Sequence, residues 1–274
     1  MTECFPRGKT IPAQSPLFWV THKDRYLRQL LIKDIQESTG RDLIVYFTDI
    51  DRTEAQIDPG DDQFFLELLN ARKKEGVDLL LETHGGFTDA TEKICALLRQ
   101  LAPDLRVIVP RRAKSNGTVI ALCAKQIVMS ASSELGPIDP NLGPTPIHFL
   151  LNAPAGAIDP LTLQIAQTFQ AQTTKLATVL LKSGMMSGKT PEEVDAVVKK
   201  LASRDHYHSH GSVIDASEAA SLGLNVLLLD SKDELWQKLW LLRTMYAYDC
   251  NAHGYSKLFE GELVSSAVTA KPKP

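Results

Sequence analysis

Residues 111–118 read R-R-A-K-S-N-G-T, and this stretch decides the fold and the chemistry that the sequence predicts. It follows an apolar run at 105–110, L-R-V-I-V-P, and precedes a helix-like run at 119–124, V-I-A-L-C-A. A β-branched strand that ends in a small-residue turn and opens into a helix presents one side chain at a sharp bend, together with free backbone N–H groups. Ser115 occupies that bend. We predict Ser115 as a nucleophile and the N–H of Asn116 as an oxyanion donor, with a plain helix N-cap as the alternative role for the serine.

The composition indicates a globular protein that keeps a substantial core without metal or disulfides. Lys and Arg number 30 against 33 Asp and Glu in 274 residues, a net charge of −3, which disfavours nucleic-acid partners. The first residues hold no apolar segment, and no apolar run approaches about eighteen residues, so we expect neither a secretion signal nor a membrane span. The cysteines form no C-x-x-C pair, which favours reduced thiols and a cytoplasmic location. They are Cys4, Cys95, Cys123 and Cys250.

Apolar runs and helical periodicity alternate along the chain and predict an α/β fold with a parallel sheet and right-handed crossovers. Predicted strands span residues 43–47, 77–82, 105–109, 126–130 and 226–229. Predicted helices include residues 23–38, 88–101, 161–183, 190–203 and 232–248.

Two loops follow strands of this predicted sheet. Gly85 and Gly86 come after the strand at 77–82, and Ser115 comes after the strand at 105–109. Because ligands bind at the carboxyl ends of parallel strands, the loops are expected to converge there. One supplies unobstructed backbone N–H groups and the other a nucleophile, which together suit acyl transfer.

Four segments resemble the serine dehydrogenase proteinase family, which is related to signal peptide peptidase A and, more distantly, to the Clp protease proteolytic subunit in the Clp/crotonase superfamily. They are L-L-E-T-H-G-G-F-T-D-A-T-E-K-I at 80–94, V-I-V-P-R-R-A-K-S-N-G-T at 107–118, I-V-M-S-A-S-S-E-L-G-P-I-D-P at 127–140 and S-H-G-S-V-I-D-A-S-E-A-A-S-L-G-L at 209–224. The resemblance covers roughly residues 23–230. It implies a Clp/crotonase-like spiral of β-α-β units, self-compartmentalising oligomers and serine peptidase activity.

The resemblance also implies site residues. It places the nucleophile on Ser115 and the oxyanion donors on the backbone of Gly85 or Gly86 and of Asn116. These are the positions that the loops themselves suggest. No cofactor is expected.

The general base is left open. In the Clp subunit a histidine follows the nucleophile in the loop after the next strand, where this chain has Asp139. In signal peptide peptidase A a lysine comes from the following segment, but residues 140–174 contain no lysine. There are three candidates for the base. Lys175 is the first lysine after that loop, although it could be an ordinary solvated lysine. His210 matches a family position, and His84 stands where these families usually carry proline. Asp139 either orients the base or hydrogen-bonds its own turn.

His206, His208 and His210 form an H-x-H-x-H run. On a strand the three side chains would share one side, as in a metal site. A surface or interface cluster is the interpretation we favour, so no metal is predicted.

Three functions suit this pattern. The leading hypothesis is a serine peptidase that cuts peptides or unfolded proteins through an acyl-enzyme on Ser115, inside a homo-oligomer. The alternatives are a crotonase-like acyl-CoA enzyme, whose N–H pair would hold a thioester enolate, and a scaffold that kept the fold and lost the base.

The predicted organisation is an N-terminal arm at 1–22, the peptidase domain at 23–230, a C-terminal helix at 231–255 and a flexible tail at 256–274. The arm is expected to pack on a neighbour through Leu17, Phe18 and Trp19. The helix carries an apolar face that serves either an oligomer contact or its own subunit. That face consists of Leu235, Trp236, Leu239, Trp240 and Leu242.

Overall fold

A computed structural model describes residues 15–52 and 54–269. The helices of this part of the chain are α1 (Pro16–Thr21), α2 (Lys23–Thr39), α3 (Asp61–Asn70), α4 (Thr88–Leu101), α5 (Asn116–Leu122), α6 (Ile147–Leu151), α7 (Pro160–Ser183), α8 (Pro191–Leu201), α9 (Ala216–Ser221) and α10 (Glu234–His253). The strands are β1 (Asp42–Thr48), β2 (Gly76–Glu82), β3 (Asp104–Ile108), β4 (Arg112–Ala113), β5 (Gln126–Met129), β6 (Glu134–Leu135), β7 (Asn141–Leu142), β8 (Thr145–Pro146), β9 (Val226–Leu228), β10 (Tyr255–Glu260) and β11 (Ser265–Thr269).

A seven-stranded sheet runs in the order β11-β10-β1-β2-β3-β5-β9. The five strands from β1 to β9 pair in parallel, whereas β10 and β11 pair antiparallel at one edge. The α/β class with a largely parallel sheet is therefore confirmed. The carboxyl ends of β1, β2 and β3 lie along one edge, and the loops that leave them build the candidate site.

Helices cover both faces of the sheet. On one face, α2 and α10 pack against β1 through residues such as Leu31, Ile35 and Leu239. On the other, α3, α4, α5 and α7 enclose a larger core that includes Phe65 and Ile94. The strands read as continuous apolar runs because both faces of each central strand are buried.

The prediction of a flexible tail from residue 256 is wrong for residues 256–269, which form β10, β11 and their connection. Polar composition suggested disorder, but the charged side chains are buried with partners. Lys257 binds Asp61 at 2.9 Å, and Glu260 accepts hydrogen bonds from Arg28 at 2.7 and 3.1 Å. These ion pairs compensate the cost of burying charge, so β10 pairs directly with β1. Residues 270–274 lie outside the described residues.

The apolar face of the C-terminal helix packs mainly on this chain's own sheet. Trp236, Leu239 and Leu242 are buried in the core beneath α10, and Trp240 stays 38% exposed. This face therefore gives no support to an interface.

Of the predicted N-terminal arm, residues 1–14 lie outside the described residues. The remainder continues through the short helix α1 into α2.

Within the described ranges, no helix combines the length and the apolar character that crossing a bilayer would require. Cys95, Cys123 and Cys250 are buried and unpaired, and Cys4 lies outside the description.

Candidate active site

Ser115 has an unusual backbone conformation. Its φ is 51° and its ψ −122°, and it is the single non-glycine residue with positive φ in residues 15–52 and 54–269. Such a conformation costs free energy and persists only where the surroundings impose it. Ser115 occupies the N-cap position of α5, yet its side chain makes no capping hydrogen bond. The hydroxyl is thus not used as a helix cap, contrary to the alternative considered from the sequence.

Gly85 lies directly against the serine. A Cβ atom at Gly85 would stand 2.8 Å from the Cβ of Ser115, 3.0 Å from the carbonyl oxygen of Lys114 and 3.1 Å from the backbone nitrogen of Asn116. Its φ of 105° also favours glycine. The glycine loop and the serine loop therefore meet, as predicted, and only a residue without a side chain permits so close an approach.

Gly86 pairs with Ile57, in a segment that sequence reasoning did not identify as part of the site. Ile57 donates its N–H to the Gly85 carbonyl at 2.8 Å and accepts from the N–H of Phe87 at 2.9 Å. In such a parallel bridge the N–H and carbonyl of Gly86 point away from Ile57. The Asn116 side chain donates to the Gly86 carbonyl at 2.5 Å, so the N–H and carbonyl of Gly86 lie on the side of Ser115 and Asn116.

Three short extended segments meet beside Ser115; we call them the site ribbon. Strand β4 pairs in parallel with β6, and Leu135 of β6 pairs with Ile214 in an isolated antiparallel bridge. The ribbon brings the segments that lead to Asp139 and to His210 next to the serine loop. These segments are distant in sequence, and backbone pairing brings them together.

Asp139 and His210 form a hydrogen-bonded pair. Nδ1 of His210 lies 2.8 Å from Oδ1 of Asp139. The other carboxylate oxygen accepts from Nε of Arg204 at 2.7 Å. Asp139 is 2% exposed, whereas the His210 side chain is 30% exposed. Within the described chain the Asp139 carboxylate hydrogen-bonds these two side chains and not its own turn. Arg204 carries no local sequence signal that would have identified it.

Lys114, which sequence reasoning also missed, reaches across the site ribbon. Its Nζ donates to the carbonyl oxygens of Leu135 at 3.1 Å and Ser212 at 2.9 Å, and it lies 3.3 Å from a carboxylate oxygen of Glu134. Burial lowers the pKa of Lys114 from its ordinary value; Glu134 opposes this effect, and Arg112 adds to it. The one available signal was its place next to Ser115.

His84 is half-buried next to Gly85, but it has no hydrogen bond to Ser115. Its Nδ1 is buried without a partner. Burial, and then the charge of Lys257, lower the pKa of His84 from its ordinary value. The imidazole is therefore held neutral near pH 7.

Lys175 does not join this group. It is exposed on α7, and it lines a groove of about 480 Å³ with Glu92 and Arg99 of α4. Within the described chain no contact connects it to Ser115.

The histidine run lies in turns and not on a strand, so its side chains share no face. His206 lies 4.0 Å from Glu218, and Nδ1 of His208 contacts the Arg204 carbonyl at 3.1 Å, while His210 pairs with Asp139. The arrangement considered for a metal site is therefore wrong.

A family model of ClpP-like SDH-type serine proteinases matches residues 57–249. The chain belongs to this family. The matched region contains Ser115, both glycines, Asp139 and His210. Family membership supports a serine peptidase in general.

Two curated relatives come from Methanocaldococcus jannaschii. The chain is 32% identical over 160 residues to the uncharacterized protein MJ0137, covering 57% of this chain and 55% of that one. It is 38% identical over 77 residues to the uncharacterized protein MJ1495, covering 28% and 26%. The chain thus matches about half of the first relative's length and about a quarter of the second's.

Two solved structures are similar to the chain. One is a serine-to-alanine mutant of the 1510-N membrane-bound stomatin-specific protease, at 22% identity and a TM-score of 0.44, with 67% of this chain and 79% of that chain covered. The other is ClpP1 from Listeria monocytogenes, at 15% identity and a TM-score of 0.44, with 73% and 98% covered.

Proposed function

We propose that this protein is a serine peptidase that cuts peptides or unfolded proteins through an acyl-enzyme on Ser115, with His210 as general base and Asp139 as its orienting carboxylate. The observation that carries the proposal is the 2.8 Å contact between His210 and Asp139, which lie on two segments that the site ribbon joins to the segment before Ser115. A serine hydroxyl needs such a neighbouring base to become a useful nucleophile.

In the acylation step, Oγ of Ser115 forms a bond to the scissile carbonyl carbon, and Nε2 of His210 takes the hydroxyl proton. When the C–N bond breaks, the same proton passes to the leaving amine. Water then attacks the acyl-enzyme with His210 again as base, which releases the acid and restores Ser115.

The Asp139 carboxylate accepts the Nδ1–H of His210, which fixes the tautomer with a free Nε2 and stabilises the imidazolium that forms. Arg204 holds the second oxygen of the carboxylate at 2.7 Å. His84 and Lys175 receive no catalytic role in this mechanism.

Backbone N–H groups hold the negative charge that develops on the carbonyl oxygen. Gly86 suits this role better than Gly85, because the Gly86 N–H faces the serine side whereas the Gly85 N–H donates to the Thr83 hydroxyl at 3.2 Å. The Asn116 N–H belongs to the first turn of α5, where helix N–H groups have no partner within the helix. The two are the proposed donors.

We also propose that the active form is a homo-oligomer. Helix α1 buries none of its residues, and Leu17, Phe18 and Val20 are 75%, 39% and 55% exposed. Exposed apolar side chains in one short segment suit a surface that another subunit covers.

The test is labelling by a fluorophosphonate, followed by intact-mass analysis. The wild type should gain one adduct and Ser115→Ala none. His210→Ala and Asp139→Asn should slow labelling and peptide hydrolysis by about 10²- to 10⁴-fold. His206→Ala is the matched control, because that histidine belongs to the same run and lies away from Asp139.

Labelling of Ser115→Ala as fast as the wild type would show that another residue reacts. Normal labelling of His210→Ala would remove the proposed base. No adduct on any form would favour the acyl-CoA or scaffold alternatives.

A further inference from the structure

We propose that Lys114 is a positioning residue of this site, which fastens the segments that carry Asp139 and His210 to the segment that carries Ser115. The inference rests on the proposed function, since it concerns the geometry of the same serine and base. Lys114 lies within the R-R-A-K-S-N-G-T stretch, but the sequence alone assigned it no role.

The contacts of Lys114 join all three segments of the site ribbon. Its own backbone directly precedes Ser115. Its Nζ donates to the carbonyl of Leu135, four residues before Asp139, and to the carbonyl of Ser212, two residues after His210. A single side chain therefore links the segment that carries Ser115 to the segments that carry Asp139 and His210.

The ammonium group has an acceptor for each of its three donors. It donates to the two carbonyl oxygens and forms an ion pair with the carboxylate of Glu134 at 3.3 Å. A lysine that acts as a base must instead present an unprotonated nitrogen to the nucleophile. This geometry assigns Lys114 a holding role and leaves proton transfer to His210.

The aliphatic part of the Lys114 side chain is also closely packed. Its side chain is 14% exposed, and a Cβ atom at Gly136 would stand 2.6 Å from Cδ of Lys114. The missing side chain at Gly136 thus makes room for the lysine stem. Both ends of the lysine are constrained, which limits how far the three segments can separate.

The holding role should depend on pH. The charged groups that face the ammonium are Glu134 and Arg112, and Glu134 also accepts from Nε of Arg112 at 2.8 Å. Since the pKa of Lys114 is lowered, this group loses its proton at a lower pH than an exposed lysine. The neutral amine has one donor fewer and no charge, so its hydrogen bonds to the two carbonyl oxygens weaken as the pH rises through that pKa. The stability of the whole fold does not fall there, because a lowered lysine pKa means that the folded chain favours the neutral amine.

The experiment measures the second-order rate of fluorophosphonate labelling of Ser115 against pH, together with the thermal unfolding midpoint. Lys114→Met should slow labelling by about 10- to 100-fold, because small displacements of a base cost about this much. Lys114→Arg should recover part of the rate and keep it to higher pH, because a guanidinium stays charged. Lys125→Met is the control and should label at the wild-type rate; its side chain is 62% exposed and lies 4.0 Å from Asp104.

Two results would overturn the inference. The first is wild-type labelling of Lys114→Met while His210→Ala is slow, which leaves the proposed function intact. The second is an alkaline limit in Lys114→Arg equal to that of the wild type, which decides the matter even if Lys114→Met fails to fold. Normal labelling of both His210→Ala and Asp139→Asn would instead contradict the proposed function.

Discussion

Ser115 and Gly85 depend on each other. The serine holds a strained φ of 51°, and the glycine approaches it so closely that an added Cβ atom would lie 2.8 Å from the serine Cβ. The surrounding backbone supplies the constraint, through the bridges of Thr83 to Ala113 and of Ile57 to Gly86. A site built in this way would hold the proposed oxyanion donors in place before substrate arrives.

Gly85→Ala should slow fluorophosphonate labelling by about 10-fold or more, because the glycine loop must move away from Ser115 and Asn116. Gly40→Ala is the control. Gly40 also has a positive φ, of 71°, but nothing lies within 4 Å of its added Cβ. Each substitution should cost about 1 kcal/mol of stability through its backbone, and only Gly85→Ala should affect labelling. Equal labelling of both variants would show that the close approach does not matter.

At this scale the sequence predicts the nucleophile better than the base. Ser115 and the glycine pair each follow a strand and precede a helix, so local pattern suffices to find them. Asp139 and His210 are 71 positions apart and meet only through the site ribbon, whose strands are two residues long. Strands that short leave no periodicity to detect, so the sequence alone leaves Lys175, His210 and His84 open as candidates for the base.

Among the elements, β10 differs most from what its composition predicts, since a segment expected to be flexible is a buried strand. Only Leu258 and Phe259 are large aliphatic or phenyl residues in this strand, and its charged residues suggest solvent. Their partners, Arg28 and Asp61, lie near the other end of the chain, so no local pattern shows that they are buried. The central strands, by contrast, are mainly apolar, and the sequence predicts their bounds to within about two residues.

Deletion of residues 255–274 should destabilise the protein by more than about 3 kcal/mol, because it bares the edge of β1 and leaves Arg28 and Asp61 buried without Glu260 and Lys257. The measurement is thermal unfolding followed by circular dichroism. Deletion of residues 270–274 alone is the control and should leave the midpoint unchanged. Equal midpoints for both truncations would show that β10 and β11 contribute nothing.

For the molecule as a whole, the property to test is the proposed assembly into a homo-oligomer. Light scattering should give a mass that is a multiple of 30.2 kDa. The double variant Leu17→Asp, Val20→Asp should shift the mass toward the monomer, because it places charge on the exposed face of α1. Leu263→Asp is the control, since Leu263 is 61% exposed in the connection between β10 and β11. A monomeric wild type would remove the proposed oligomer and leave the catalytic proposal untouched.

The pairing of Val45 in β1 with Glu260 in β10 has a consequence for synthesis. Contacts between residues so distant in sequence form slowly, and a ribosome releases β1 long before it makes β10. Until then the outer edge of β1 is an unpaired, apolar strand, the kind of edge that joins other chains into aggregates. Strands translated long after β1 therefore cover the aggregation-prone edge of the nascent protein.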